Sequence, residues 1–260
     1  MTEYSPNHTL STIGSFYIHQ HDTGDIISHI DNNTTHPMYH ILFQSFQSNK
    51  IDISQFISNT KSITSLSNMI SNQNTFTIQM ATTLLRCMYS QTQFLLENNI
   101  AISFIDINDI IVINDNMFYF CNYHKLYKIK KNDSITITEF YDLQNDFLPP
   151  ELIHNNVIPF STYYTSSYYS LAILILYCLK KSHGRNYRHD NDNDNDNDND
   201  NDNDNDNDND NDNDIDIDDS NQLYSSSYQS TLNRYQHTKL YVTLKHCLVK
   251  EPLQRTFHLF

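Results

Sequence analysis

The chain reads Phe147-Leu148-Pro149-Pro150-Glu151-Leu152, then Tyr169-Ser170-Leu171-Ala172, and near its end Cys247-Leu248-Val249-Lys250-Glu251-Pro252-Leu253-Gln254-Arg255. The second segment opens an apolar run to Leu179 that is hydrophobic on every side, which predicts a buried helix. Moving towards the N-terminus, Thr75 to Asn99 carries apolar residues mostly at i, i+3, i+4 and i+7 steps, and this predicts a long amphipathic helix. Asn98-Asn99 ends it, because Asn tolerates the left-handed turn at a helix C-terminus. Ile100–Ile105, Ile110–Ile113 and Met117–Phe120 read as strands, the last two joined by the Asn114-Asp115-Asn116 turn of a hairpin. Ser134–Phe140 alternates like a half-exposed strand. Met38–Phe46 reads as a buried strand, and Ile51–Ile57 as a short helix. Residues 1–37 are polar, with a weak strand signal at Ser15–Ile18, and Leu232–Val249 reads as one or two amphipathic helices.

Charge places limits on partners. The formal net charge is −15, but 16 of the aspartates lie between Asp190 and Asp219, mostly in an Asn-Asp alternation. Without them, 15 acidic residues stand against 16 Lys and Arg. The folded part is near neutral and offers no basic field for nucleic acid. Residues 185–222 are low-complexity: alternating Asn and Asp bury no core and repel one another, which predicts a solvated, disordered insert. The repeat has neither the turn glycine nor the closing glutamate of a calcium-binding loop.

Only three glycines occur, Gly14, Gly24 and Gly184, so no glycine-rich loop can close on phosphates. Cys87, Cys121, Cys178 and Cys247 are far apart and sit in apolar stretches, as small buried hydrophobes do in a reducing compartment. With no signal segment and no apolar run near the ~20 residues a bilayer needs, the expectation is an intracellular, cytoplasmic protein without membrane contact. The spacings His19-x-His21 and His36-x-x-x-His40 suit a metal, but nothing around them fixes ligands, and surface histidines are the expectation.

In their order, the three quoted segments resemble landmarks of the protein-kinase C-terminal lobe. These are the Ala-Pro-Glu end of the activation segment, the Trp-Ser-Leu-Gly start of the central helix, and the closing "cys-leu … asp-pro … arg". The resemblance covers about residues 38–260 outside the repeat. It implies an α+β kinase-like fold with a mainly helical C-terminal lobe and a truncated or remodelled N-terminal lobe. Its divisions are 1–57 for a reduced N-lobe and hinge, 58–184 for the C-lobe core, 185–222 for the insert and 223–260 for the closing helices. It also implies structural roles for Pro150, Glu151, Ser170, Leu171 and Arg255. Glu151 would pair with Arg255 in the interior, since leaving either charge unpaired there costs several kcal/mol.

The catalytic landmarks are another matter. The kinase loop His-Arg-Asp-Leu-x-x-x-Asn precedes an apolar triplet. Aligned on Ile110-Ile111-Val112, it sets Phe104 at the catalytic aspartate and Asp109 at the metal-binding asparagine. A rival register sets Asp106 at the catalytic aspartate but leaves Ile111 where a magnesium ligand is needed. A solvated acidic turn is the plain reading of Asp106 and Asp109. Asn122 is the best match to the Asp of Asp-Phe-Gly, Ser167 replaces the leading aspartate of the central helix, and no lysine corresponds to that of Val-Ala-Ile-Lys. The resemblance therefore implies a pseudokinase of the kind large DNA viruses encode. Such a protein would serve as an interaction or regulatory module for a protein partner, with no cofactor. The alternatives are an active atypical Ser/Thr kinase that uses ATP and magnesium through Asp106 or Asp109 with Asn122, and a structural scaffold protein.

Overall fold

The computed structural model describes residues 9–13, 16–20, 26–29, 38, 45, 62–72, 75–155, 157–189 and 226–259. The Asn-Asp repeat, Ile51–Ile57 and the histidines at 21, 36 and 40 lie outside them. The fold is mixed α+β, with small antiparallel sheets beside helices.

A central helix organises the packing. α4 (Ser166–His189) contains the apolar run, and its residues from Leu171 to Leu176, with Cys178 and Leu179, are all at most 3% exposed. It extends to His189, past the division expected at 184. Among the described residues, four helices pack on it: α1 (Leu66–Ser71), α2 (Ile78–Glu97), α5 (Ser226–Asn233) and α6 (Lys239–Cys247). Being enclosed from several directions is what an all-round apolar helix requires. The C-terminal pattern thus resolves into two helices, α5 and α6.

α2 begins where Thr77 accepts a hydrogen bond from the Met80 N–H through its side chain, a capping contact at 3.2 Å. It ends at Asn98, and the next residue, Asn99, takes the left-handed conformation with φ 57°. The expected apolar stripe of α2 also holds Gln91, fully buried. Its amide accepts from the Phe120 N–H and donates to the Phe120 carbonyl and to the Ser45 hydroxyl.

The first three strands, β1 (Thr9–Ile13), β2 (Phe16–Gln20) and β3 (Ile26–His29), form an antiparallel sheet in chain order. β4 (Ile63–Ser65) joins the hairpin of β6 (Ile110–Ile113) and β7 (Met117–Phe120) in a second sheet. Asn114 and Asp115 in its turn both have positive φ, 50° and 62°, as a tight hairpin whose twist matches its strands demands. β5 (Ile100–Ile102) pairs with β8 (Leu126–Lys128), and β9 (Ser134–Ile137) with β10 (Phe160–Tyr163). The strands expected at 100–105 and 134–140 are shorter than their apolar patterns. Met38 and Ser45 are helical, not extended as the strand reading of Met38–Phe46 expected at those two positions; the other residues of that stretch lie outside the described residues. A short, largely apolar stretch fits a helix as well as a strand, and periodicity alone does not separate them.

The first and last of the quoted segments meet. α3 (Pro150–Ile153) carries Glu151, and a short 3₁₀ turn, Pro252–Gln254, delivers Arg255. The pairing is bidentate, with Arg255 Nη1 to Glu151 Oε1 at 2.5 Å and Nη2 to Oε2 at 2.8 Å. Arg255 also donates to the carbonyls of Val249 and Lys250 and stacks over the Tyr169 ring at 4.9 Å. Glu151 Oε1 accepts in addition from the Ser166 hydroxyl. The Arg255 side chain is 0% exposed, so its charge has no water to fall back on. Glu151→Gln strands that cation, and a loss of about 3–5 kcal/mol in urea unfolding is expected. The double replacement Glu151→Leu with Arg255→Met is expected to recover most of it.

Candidate functional site

The site grows from the register of one hairpin. Ile110 pairs with Phe120. One step outward, Asp109 therefore faces Cys121, whose N–H donates to the Asp109 carbonyl at 2.8 Å. Asn122 follows at once and is brought beside the Asp109 side chain. Two residues far apart in sequence become neighbours because strand pairing carries both ends of the hairpin to the same place.

Local turns then fix the side chains. Asp106 caps the 3₁₀ turn Ile107–Asp109: its Oδ1 accepts from the Asn108 N–H, and Asp109 Oδ2 accepts from the Asp106 N–H, a reciprocal box. The other Asp106 oxygen accepts from the Asn145 amide. Asn122 caps a second turn, Tyr123–Lys125, by accepting from the His124 N–H. That turn swings Lys125 inward, where its carbonyl accepts from the Ser103 N–H at 2.9 Å.

Asp109 is 4% exposed. This corrects the solvated acidic turn expected for the pair: the 3₁₀ turn leaves Asp106 half-buried and carries Asp109 inside. Its Oδ1 accepts from Asn122 Nδ2 at 2.8 Å, and its Oδ2 from the Lys125 ammonium at 2.5 Å. The carboxylate is thus surrounded by three donors, one of them a full positive charge. Burial pushes the Asp109 carboxyl above its usual range, and the Lys125 ammonium pulls the other way without overcoming the desolvation.

Lys125 has a second partner. Its ammonium lies 3.7 Å from the centroid of the Phe104 ring, a cation–π contact. Phe104 is itself 5% exposed and packs with Leu148 and Leu152, flanked by Tyr141 and Phe160. The floor of the site is apolar. Tyr141 ties the neighbouring segment together, its hydroxyl sharing a proton between the carbonyls of Leu152 (2.9 Å) and Asn155 (2.8 Å). Ser170, on α4, accepts from the Ile105 N–H at 2.9 Å and so fastens the 104–109 segment to the central helix. Leu171, the next residue, lies in the main core.

Of the residues singled out by sequence, Asp109 and Asn122 touch, Asp106 caps the same turn half-buried, and Phe104 forms the floor. Lys125 was missed. The only signal for it is its place three residues after Asn122, legible once the hairpin register is known. Among the described residues, no group of three or more His, Cys, Asp or Glu is placed to hold a metal ion. Likewise, no helix among them is long and apolar enough to cross a membrane. The four cysteines are free thiols; three are buried, and burial pushes Cys247 up to about 12, while Cys87 is half-buried. Comparison with protein-family models and with curated proteins finds no match for this chain.

Lys125→Met leaves the Asp109 carboxylate buried with amide and backbone donors alone. The expected loss is about 3–5 kcal/mol in urea unfolding. Adding Asp109→Asn to it is expected to restore most of that loss, a coupling read directly from the double-mutant cycle.

Proposed function

We propose that the chain is a kinase-like protein without phosphoryl-transfer activity, serving as an interaction or regulatory module. The observation that carries this reading is the Lys125 ammonium, 2.5 Å from the Asp109 carboxylate. In the resemblance drawn above, Asp109 and Asn122 stand where the metal ligands stand and Phe104 where the catalytic base stands. Phosphoryl transfer needs magnesium to neutralise the charge on the phosphates and a group to orient the substrate hydroxyl. Here a tethered cation already neutralises the buried Asp109 carboxylate. The side chain facing it is a phenyl ring packed on leucines, which accepts no proton.

The meeting of Glu151 with Arg255 and the burial of Leu171–Leu176 with Cys178 and Leu179 support the kinase-like architecture, because the resemblance requires both. The pairing joins residues on opposite sides of the repeat, so the segments flanking the repeat belong to one folded body.

ATP with magnesium is expected to leave the melting temperature of the full chain unchanged, and radiolabelled phosphate is expected to reach neither the chain nor a generic substrate such as myelin basic protein. A saturable rise of several degrees, or phosphate transfer lost in Asp109→Asn, would sink the proposal.

A further inference from the structure

Charge is segregated along this chain. Of its 16 Lys and Arg, eight fall within residues 180–250. The 15 acids outside the Asn-Asp repeat all lie before residue 180 or after residue 250. Within that window the acids are the 16 aspartates from Asp190 to Asp219. Basic residues therefore flank the acidic repeat on both sides, and the flanks carry no acid of their own.

The structure brings the two flanks together. α5 and α6 pack on α4 and on each other. The Lys180 ammonium lies 5.5 Å from the centroid of the Tyr228 ring, which sets the basic end of α4 against α5. On α6, Leu240, Thr243, Leu244 and Cys247 are buried. The opposite face of that helix carries Lys239, Val242, Lys245 and His246, all exposed. An open cavity of about 540 Å³ runs along the start of this face, lined by Gln236, His237, Thr238, Lys239, Tyr241 and Val242, with no acid among them. Arg234 is exposed just before it. Among the described residues, Lys180, Lys181, Arg234, Lys239 and Lys245 make no ion pair. Two acids border the region from other segments. Glu251 follows Lys250, and Asp146 reaches Tyr228, whose phenol is held above its ordinary range by burial first and then by that charge.

Exposed cations with no acid on their own face leave a local positive field that draws an anion. The repeat supplies one from beside the face. Asp190 directly follows α4, and Asp219 ends the repeat seven residues before α5 begins. An extended chain of the length of residues 190–219 reaches up to ~100 Å, against ~14 Å for the length of α6, so the linkage permits contact. Tethered at both ends, the repeat meets the face at an effective concentration in the mM range. Its alternation also suits the contact. Carboxylates at every second residue recur about every 6.6 Å along an extended chain, and the neutral asparagines between them lower their mutual repulsion. We propose that the Asn-Asp repeat docks, within the same chain, on the exposed basic face of α6 and Arg234. Any anionic partner of this face then has to displace the repeat first. Asp109, Lys125 and the noncatalytic reading play no part in this inference.

The test is crosslinking of the full chain with a carbodiimide, which joins a lysine amine directly to a carboxylate touching it, followed by peptide mass spectrometry. Lys128, Lys130 and Lys131, exposed on and after β8, are the comparison. At about 20 mM salt, Lys239 and Lys245 are expected to couple to the repeat at least ~10-fold more than those three, and at about 0.5 M salt the excess is expected to be lost to screening. A mixture of isotope-labelled and unlabelled chains is expected to place the links within one chain. Arg234→Glu combined with Val242→Glu leaves both lysines in position and is expected to cut their coupling ~5-fold or more. Proximity through the tether alone responds neither to salt nor to that variant. Arg234 and Val242 are exposed, so the variant should keep the wild-type circular dichroism and melting temperature. Equal coupling of all the exposed lysines, an excess that survives high salt or the folded double variant, or links that join two chains overturns the proposal.

Discussion

A guanidinium with no access to water must have its charge met inside the protein. Arg255 is such a group, and the structure around it is arranged accordingly. Glu151 meets both of its terminal nitrogens, two carbonyls of the preceding turn take further hydrogens, and the Tyr169 ring covers its face. Through Ser166, the same carboxylate reaches the first residue of the central helix. One ion pair thus joins the end of the chain, the short helix at Pro150 and the start of α4. Such a pair adds little net stability over a well-packed apolar substitute, but breaking it by removing one partner is costly. It therefore specifies which segments meet more than it stabilises their meeting.

The same constraint recurs at Asp109, with a different consequence. There the carboxylate is buried by a 3₁₀ turn, and the counter-charge comes from a lysine only 16 residues away on the returning arm of a hairpin. Because Lys125 is tethered, it is always present at high local concentration. A divalent ion would have to displace it and would find one carboxylate and one amide for ligands, a poor set for magnesium. The phenyl ring of Phe104 completes the arrangement by offering its face to the ammonium. The buried carboxylate and the ammonium beside it are satisfied by each other and by their neighbours.

Much of the architecture was legible from pattern. The helix at 78–97, its stop at Asn99, the hairpin turn at Asn114-Asp115 and the buried run from Leu171 all follow from periodicity and from residues that tolerate left-handed backbone. Met38 and Ser45 are helical where a strand was expected, because a short, largely apolar stretch has no period to separate helix from strand. β4, β8 and β10 were missed because each has only three or four residues, and their strand character comes from the partner across the ladder. Gln91 was read as part of an apolar stripe. Its burial makes sense only once the Phe120 backbone is seen beside it, needing a donor and an acceptor.

Sequence alone determined which residue types were available: no glycine-rich loop, no acid at position 104, an amide at 122 and, outside the Asn-Asp repeat, a near-neutral balance of charge. Those are properties of composition and order, and no folding alters them. Whether Asp109 faced water or the interior, and whether Lys125 reached it, was decided by tertiary structure. Hairpin register and two short turns set that geometry, and the low dielectric around the buried carboxylate made a cation at 2.5 Å its necessary companion.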